Sequence, residues 1–181
     1  MPTDTYDMLK FIEAFGEVRG RKRLQKTVFM LKRQGCDFFQ ERFSMHYYGP
    51  YSSELSALVD ELVQQGLVNE EAKTAGTSAV EYTYRLTGNG ETFINNFQQR
   101  HNGGRPATKW NKSLLSRVLK LADVEVYVLE LAATILFWID WGLNWKKATA
   151  RTRSMKNVSE GSSNWEKACA LAKQMCSRVS A

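Results

Sequence analysis

Two groups of lysines and arginines are the residues in this chain best suited to chemistry, and the chemistry is recognition of phosphate. The first is Arg19, Lys22, Lys26 and Arg33, and its last three members fall within about 40° of one another on a predicted helix. The second is Lys146, Lys147, Arg151, Arg153 and Lys156 beside Trp145, where an aromatic ring available for stacking sits among cations that can neutralise phosphates. The plainer reading of both groups is solvated surface, since charged side chains ordinarily lie outside.

A third polar set points the other way. Ser53, Glu54, Asp60, Glu61 and Gln64 occupy the outward face of a predicted helix from about Ser53 to Gln65. In a helix-turn-helix reader that face would enter the major groove, and carboxylates there would approach phosphates and lose the gain from counterion release. Base reading by this helix is therefore disfavoured. Docking of a basic protein partner suits it better, which makes a protein-binding module the alternative to a nucleic-acid-binding one.

Catalysis finds little support. His46 and His101 are the only histidines, no His/Cys/Asp/Glu group has ligand spacing, and neither a phosphate-loop glycine pattern nor a nucleophile elbow occurs. Lys26 and Glu54 read as an ion pair sooner than an acid-base couple. No enzyme activity, cofactor or metal is expected. Cys36, Cys169 and Cys176 are odd in number, and the last two lie about 10 Å apart along one predicted helix, so free thiols are expected.

The 181 residues, 43% hydrophobic and 24% charged, suit one folded domain with an extension. Charge is uneven: 11 Lys+Arg face 13 Asp+Glu in residues 1–99, against 14 and 6 in residues 100–181. The basic half favours a polyanionic partner. The start, Met1-Pro2-Thr3-Asp4-Thr5, lacks the pattern of a secretion signal, and the apolar run Leu131–Ile139 is about half of a membrane crossing, so a cytoplasmic protein without membrane contact is expected.

Elements that must position these residues follow from periodicity. Helices are predicted at about Asp4–Phe15, Arg21–Gln34, Ser53–Gln65 and Gly88–Arg100. An aromatic strand from Phe38 to Tyr48 is predicted to end at Gly49-Pro50, and strands at Leu67–Asn69 and Val80–Leu86 flank a wing tip at Ala72–Ser78. Three more helices are predicted at Trp110–Leu121, Val124–Trp141 and Ser163–Val179, with a basic loop from Asn144 to Ser162. The order is that of an α+β, mainly α, winged-helix domain over residues 1–100, a linker over 101–109, and a helical extension over 110–181. The extension is expected to pack on the domain or to form a dimer: the Val124–Trp141 helix is apolar around most of its circumference, and either the terminal helix or a second copy must cover it.

Leu24-Gln25-Lys26-Thr27-Val28-Phe29-Met30-Leu31, the block Tyr47-Tyr48-Gly49-Pro50-Tyr51-Ser52 with Leu55 after it, and Leu86-Thr87 together resemble the YwgA family of small bacterial and archaeal proteins. More distantly they are similar to the Panacea domain of SocA-like antitoxins. The resemblance covers roughly residues 4–100, and Leu129–Leu136 with the terminal helix is similar to the family's helical extension. It implies a winged-helix-like fold without known catalysis, in a group whose better-understood relatives neutralise toxins or act as adaptors. Two functions are thus expected: a non-catalytic regulatory module, DNA-binding through phosphates and acting in transcription regulation, or an antitoxin-like module that docks a basic partner such as a toxin.

Overall fold

The computed structural model describes residues 2–36, 41–75, 79–101 and 110–176. In chain order the elements are α1 (Pro2–Phe15), β1 (Val18–Arg19), α2 (Arg21–Arg33), β2 (Ser44–His46), β3 (Gly49–Tyr51), α3 (Ser53–Gln64), β4 (Val68–Ala75), β5 (Ala79–Leu86), α4 (Gly88–His101), α5 (Lys112–Ala122), α6 (Val126–Asp140), α7 (Trp145–Lys156) and α8 (Ser163–Cys176). The protein is α+β, mainly helical, with small antiparallel sheets.

The chain forms two compact units, one of Met1–Leu24 with Ser53–Asp123 and the other of Gln25–Ser52 with Val124–Ala181. This grouping differs from the expected domain at residues 1–100 followed by an extension. Long-range packing decides it: the second half of the chain takes in most of α2 and the β2-β3 hairpin. The expected linker, from residue 102 onward, and residues 76–78 of the expected wing tip lie outside the described residues.

In the first unit β5 is the central strand, antiparallel to β1 on one side and β4 on the other, with Val18 opposite Tyr84 and Val68 opposite Leu86. Sequence periodicity locates much of the core: Met8, Phe11 and Ile12 of α1, Leu55, Val59 and Leu62 of α3, and Ile94 of α4 are buried, whereas Phe15, Leu58, Val63, Phe93 and Phe97 on the same faces are half-buried. Tyr84 is fully buried as well, and its hydroxyl is satisfied on both sides: it accepts from Arg21 Nε at 2.7 Å and donates to Glu70 at 2.6 Å. Thr87 starts α4, its hydroxyl accepting from Gly90 N at 3.1 Å.

The second unit is built around α6. Residues Val128 to Trp138 are buried without interruption, and the cover comes from α7, α8 and β3 of the same chain. The burial for which a second copy was considered is thus supplied internally. Phe29 of α2 adds to this core, edge-on to Phe43 and near Phe137.

Two local expectations are corrected here. Gly49-Pro50 does not end a strand; with Tyr51 it forms one, pairing antiparallel with Ser44–His46 so that Tyr47-Tyr48 becomes the turn. The expected strand's first residues, up to 40, lie outside the described residues. Gly49 makes the hairpin possible: its φ is +86°, and a β-carbon there would meet Thr134 Oγ1 at 2.7 Å. The second correction is that the basic stretch after Asn144 is a helix, not a loop, capped by the Asn144 side chain accepting from Lys147 N and closed by Asn157 in the left-handed conformation. Its polar composition hid it, because only Ala148 and Thr152 turn inward.

Gly49→Ala should therefore cost about 2 kcal/mol or more, combining positive φ with a collision. Gly142→Ala, also at positive φ (+88°) but in open space, should cost about 1 kcal/mol. Urea midpoints of the two variants give the comparison, and equal losses would mean that the close approach to α6 contributes nothing.

Candidate functional site

The ten cations and aromatics singled out by the sequence separate into three kinds. Lys26 and Lys156 are structural. Lys26 is 2% exposed and donates to the Pro50 carbonyl at 2.7 Å, while Lys156 pairs with buried Glu130 at 2.6 Å and also donates to the Tyr47 carbonyl. Both ammonium groups hold the hairpin, one at each end of the Tyr47–Pro50 segment, so neither is a surface phosphate ligand. The helical period places Lys26 beside Lys22 correctly but carries no information about what approaches that face. Gln25 adds a reciprocal pair with Ser52, donating to its carbonyl and accepting from its amide, both at 2.9 Å.

A second kind is occupied by acids. Arg33 is mostly buried, bonded to Asp140 at 2.8 Å and to the Met175 carbonyl at 3.1 Å. Arg153 pairs with Glu160, and Arg19 with Glu17 at 2.5 Å. Lys22 is exposed. The proposed ridge along α2 is therefore not a continuous cationic surface.

Lys146, Lys147 and Arg151 form the third kind. All three are exposed, and none has an acidic partner among the described residues. They lie within an arc of about 140° on α7, with Lys147 and Arg151 one turn apart. Trp145, expected to supply stacking, is half-buried and has Lys173 over its ring at 5.4 Å. The aromatic that sequence reasoning missed is Trp141, at the C-terminal cap of α6 and 70% exposed. Its ring lies 6.1 Å from Phe137 and 6.2 Å from Trp138, and the Arg151 guanidinium sits 3.9 Å over Trp138. Gly142 shortly after the apolar run Leu131–Ile139, followed by the capping Asn144, is the signal that could have placed Trp141 in an exposed corner between two helices.

In the first unit the acidic set is partly engaged. Asp60 accepts from Arg21 at 3.3 Å and Glu61 from Gln65 at 2.9 Å; Ser53, Glu54 and Gln64 are exposed. Arg21 also bonds Glu70 at 2.8 Å and lies over the Tyr82 ring. Burial opposes ionisation of Glu70, but the bonds from Tyr84 and Arg21 outweigh it and hold the carboxyl below its ordinary range. Burial, then the Glu70 contact, pushes the Tyr84 phenol up. Arg85 ties β5 to Glu71 at 2.9 Å and to Glu17. These groups fasten strands together.

Among the described residues no group of three or more His, Cys, Asp or Glu side chains could hold a metal ion, and no helix is long and apolar enough to cross a membrane. Cys36, Cys169 and Cys176 are free thiols, with burial raising the pKa of Cys169.

A mainly helical α+β chain with a hairpin pinned by buried lysines and a cationic helix beside an exposed tryptophan is the class these elements define. In sequence the chain is similar to the uncharacterized protein YwgA of Bacillus subtilis (strain 168), 36% identical over 87 residues that cover 48% of this chain and 51% of that protein. The match supports a YwgA-like relationship, and the chain spans about half the length of the curated relative it matches. No protein-family model matches.

Two measurements separate the structural side chains from the free ones. Lys156→Ala removes the cation from Glu130, where both side chains are 6% exposed, and should cost about 3 kcal/mol, whereas Lys147→Ala should change stability by less than about 0.5 kcal/mol. Because the folded pKa of Glu70 is depressed, its contribution is present above the unfolded carboxyl pKa of about 4.3 and is lost as pH falls below it. Unfolding free energy measured from pH 6 down to 3 should fall less steeply in Glu70→Gln than in the wild type.

Proposed function

We infer that this chain is a regulatory binding module that contacts nucleic acid through phosphates, using helix α7. The observation that carries this reading is the trio Lys146, Lys147 and Arg151, exposed on one helix without acidic partners among the described residues. Lys146 and Lys147 stand in the first turn of α7, where the helix dipole is positive and each cation costs about 0.3–1 kcal/mol. Local stability gains nothing from them, and a polyanion bound at this helix would repay their placement.

The first unit supports a winged-helix arrangement by its element order: α1, α3 and the β4-β5 ribbon, with β1 as the third strand. Its α3 presents carboxylates outward, so the contact is assigned to phosphates on α7 and not to base reading by α3. A second reading follows from that same helix. Ser53, Glu54, Glu61 and Gln64 are exposed on it, and this face suits docking of a basic partner, such as the toxin that an antitoxin of the Panacea kind would bind.

Fluorescence anisotropy with labelled DNA across a salt series tests the first reading. Wild-type binding should weaken steeply with salt, and Lys146→Ala/Lys147→Ala/Arg151→Ala should lower the log–log slope by about three regardless of sequence. An unchanged slope removes α7 from the contact, and absence of binding at low salt transfers the function to α3. Lys146→Glu/Lys147→Glu should lose nucleic acid while gaining about 1 kcal/mol in urea unfolding, since the reversed charges suit the helix dipole.

A further inference from the structure

We propose that Trp141 is a base-stacking platform and that the nucleic acid held by α7 is single-stranded. This rests on the phosphate-contact reading and names the form of its ligand. Trp141 is the only tryptophan among the exposed large hydrophobic residues, 70% exposed, whereas Trp138 beside it is 6% exposed. A side chain of that size left in water has an apolar face to cover. Its position is held: Phe137 lies nearly parallel to it at 6.1 Å, Trp138 stands perpendicular at 6.2 Å, and Gly142 and Leu143 return hydrogen bonds to Ile139 and Trp138 carbonyls at 2.9 and 3.0 Å. A ring already fixed in place loses little entropy when a base stacks on it.

Trp138 links the aromatic to the cations. The Arg151 guanidinium is 3.9 Å from the Trp138 centroid and the Trp141 centroid is 6.2 Å from it, so Arg151 and Trp141 are within about 10 Å of each other. A short stretch of one strand bridges that span. Held over the Trp138 ring and exposed to solvent, the guanidinium can fork a phosphate. Lys147, one helical turn earlier, continues the cationic track. A base on Trp141 and successive phosphates on Arg151, Lys147 and Lys146 is the pairing of ring and groove by which proteins hold single strands.

Duplex DNA offers no such fit, because its base faces are consumed by stacking within the helix. A lipid surface is the other polyanion with use for tryptophan and lysine, but it needs a broad apolar face. The exposed residues of α7 besides the cations, Ala150 and Ser154, are small, so α7 itself offers no such face.

The experiment uses the full chain with labelled oligothymidine, a mixed-sequence duplex of equal length and phosphatidylglycerol vesicles, at low salt. Oligothymidine should bind at least tenfold tighter than the duplex and quench tryptophan fluorescence. Trp141→Ala should weaken the single strand roughly tenfold and leave duplex binding unchanged, and Trp141→Phe should recover most of the loss. Unaltered thermal unfolding of both variants, expected for an exposed residue, shows that the loss is one of binding. If Lys146→Ala/Lys147→Ala/Arg151→Ala weakens both forms while Trp141→Ala weakens neither, the platform is rejected and the phosphate contact stands. Vesicle binding without strand binding overturns both.

Discussion

Two ammonium groups withdrawn from water govern the second unit. A buried lysine persists only where oxygen atoms are arranged to receive it, and here the oxygens come from the hairpin turn and from α6. Lys26 takes the Pro50 carbonyl; Lys156 takes the Tyr47 carbonyl and the Glu130 carboxylate. These bonds run from α2 and α7 to one four-residue segment, so the turn, the glycine that lets it pass close to Thr134, and the helices that carry the lysines are mutually dependent. The aromatic Tyr47–Tyr51 block is explained by this arrangement: Tyr47 and Tyr48 stand exposed at the tip, 77% and 51%, while Gly49 and Pro50 are buried.

The same constraint sorts the positive charge. Cations with a structural task are inside or paired, as Lys26, Arg33, Arg153 and Lys156 are. Once those are set aside, the cations of α7 without an acidic partner among the described residues are Lys146, Lys147 and Arg151. Two of these sit where the helix dipole disfavours them, which sets them apart from charge that merely keeps a surface wet. In the first unit the opposite sign predominates on α3, where Asp60 accepts from Arg21 and Glu61 from Gln65.

Much of the fold was legible in the sequence, and the reason is periodicity. Helices α1, α3, α4 and α5 each bury one face, so their apolar spacing carries the signal, and caps such as Thr87 mark starts; β5 is read from its alternation, whereas β4 runs on through Ala72–Ala75, expected as wing tip, because its polar residues carry no pattern. The site was legible in part: residue type identified the α7 cations, but helix α7 itself buries only small residues and offered no apolar stripe to read. Trp141 carried no such signal, because it stands at the end of a helix apolar around most of its circumference, where a tryptophan reads as core.

Residue order alone settled what each segment prefers locally, including which faces are apolar, where glycine must sit and which cations exist. Only tertiary packing decided which lysines are buried, that Gly49-Pro50-Tyr51 is a strand, and that residues 25–52 group with 124–181. Those outcomes depend on partners distant in sequence, Lys26 on Pro50, Lys156 on Tyr47, Gly49 on Thr134, and no local propensity encodes the identity of a group that arrives from a hundred residues away.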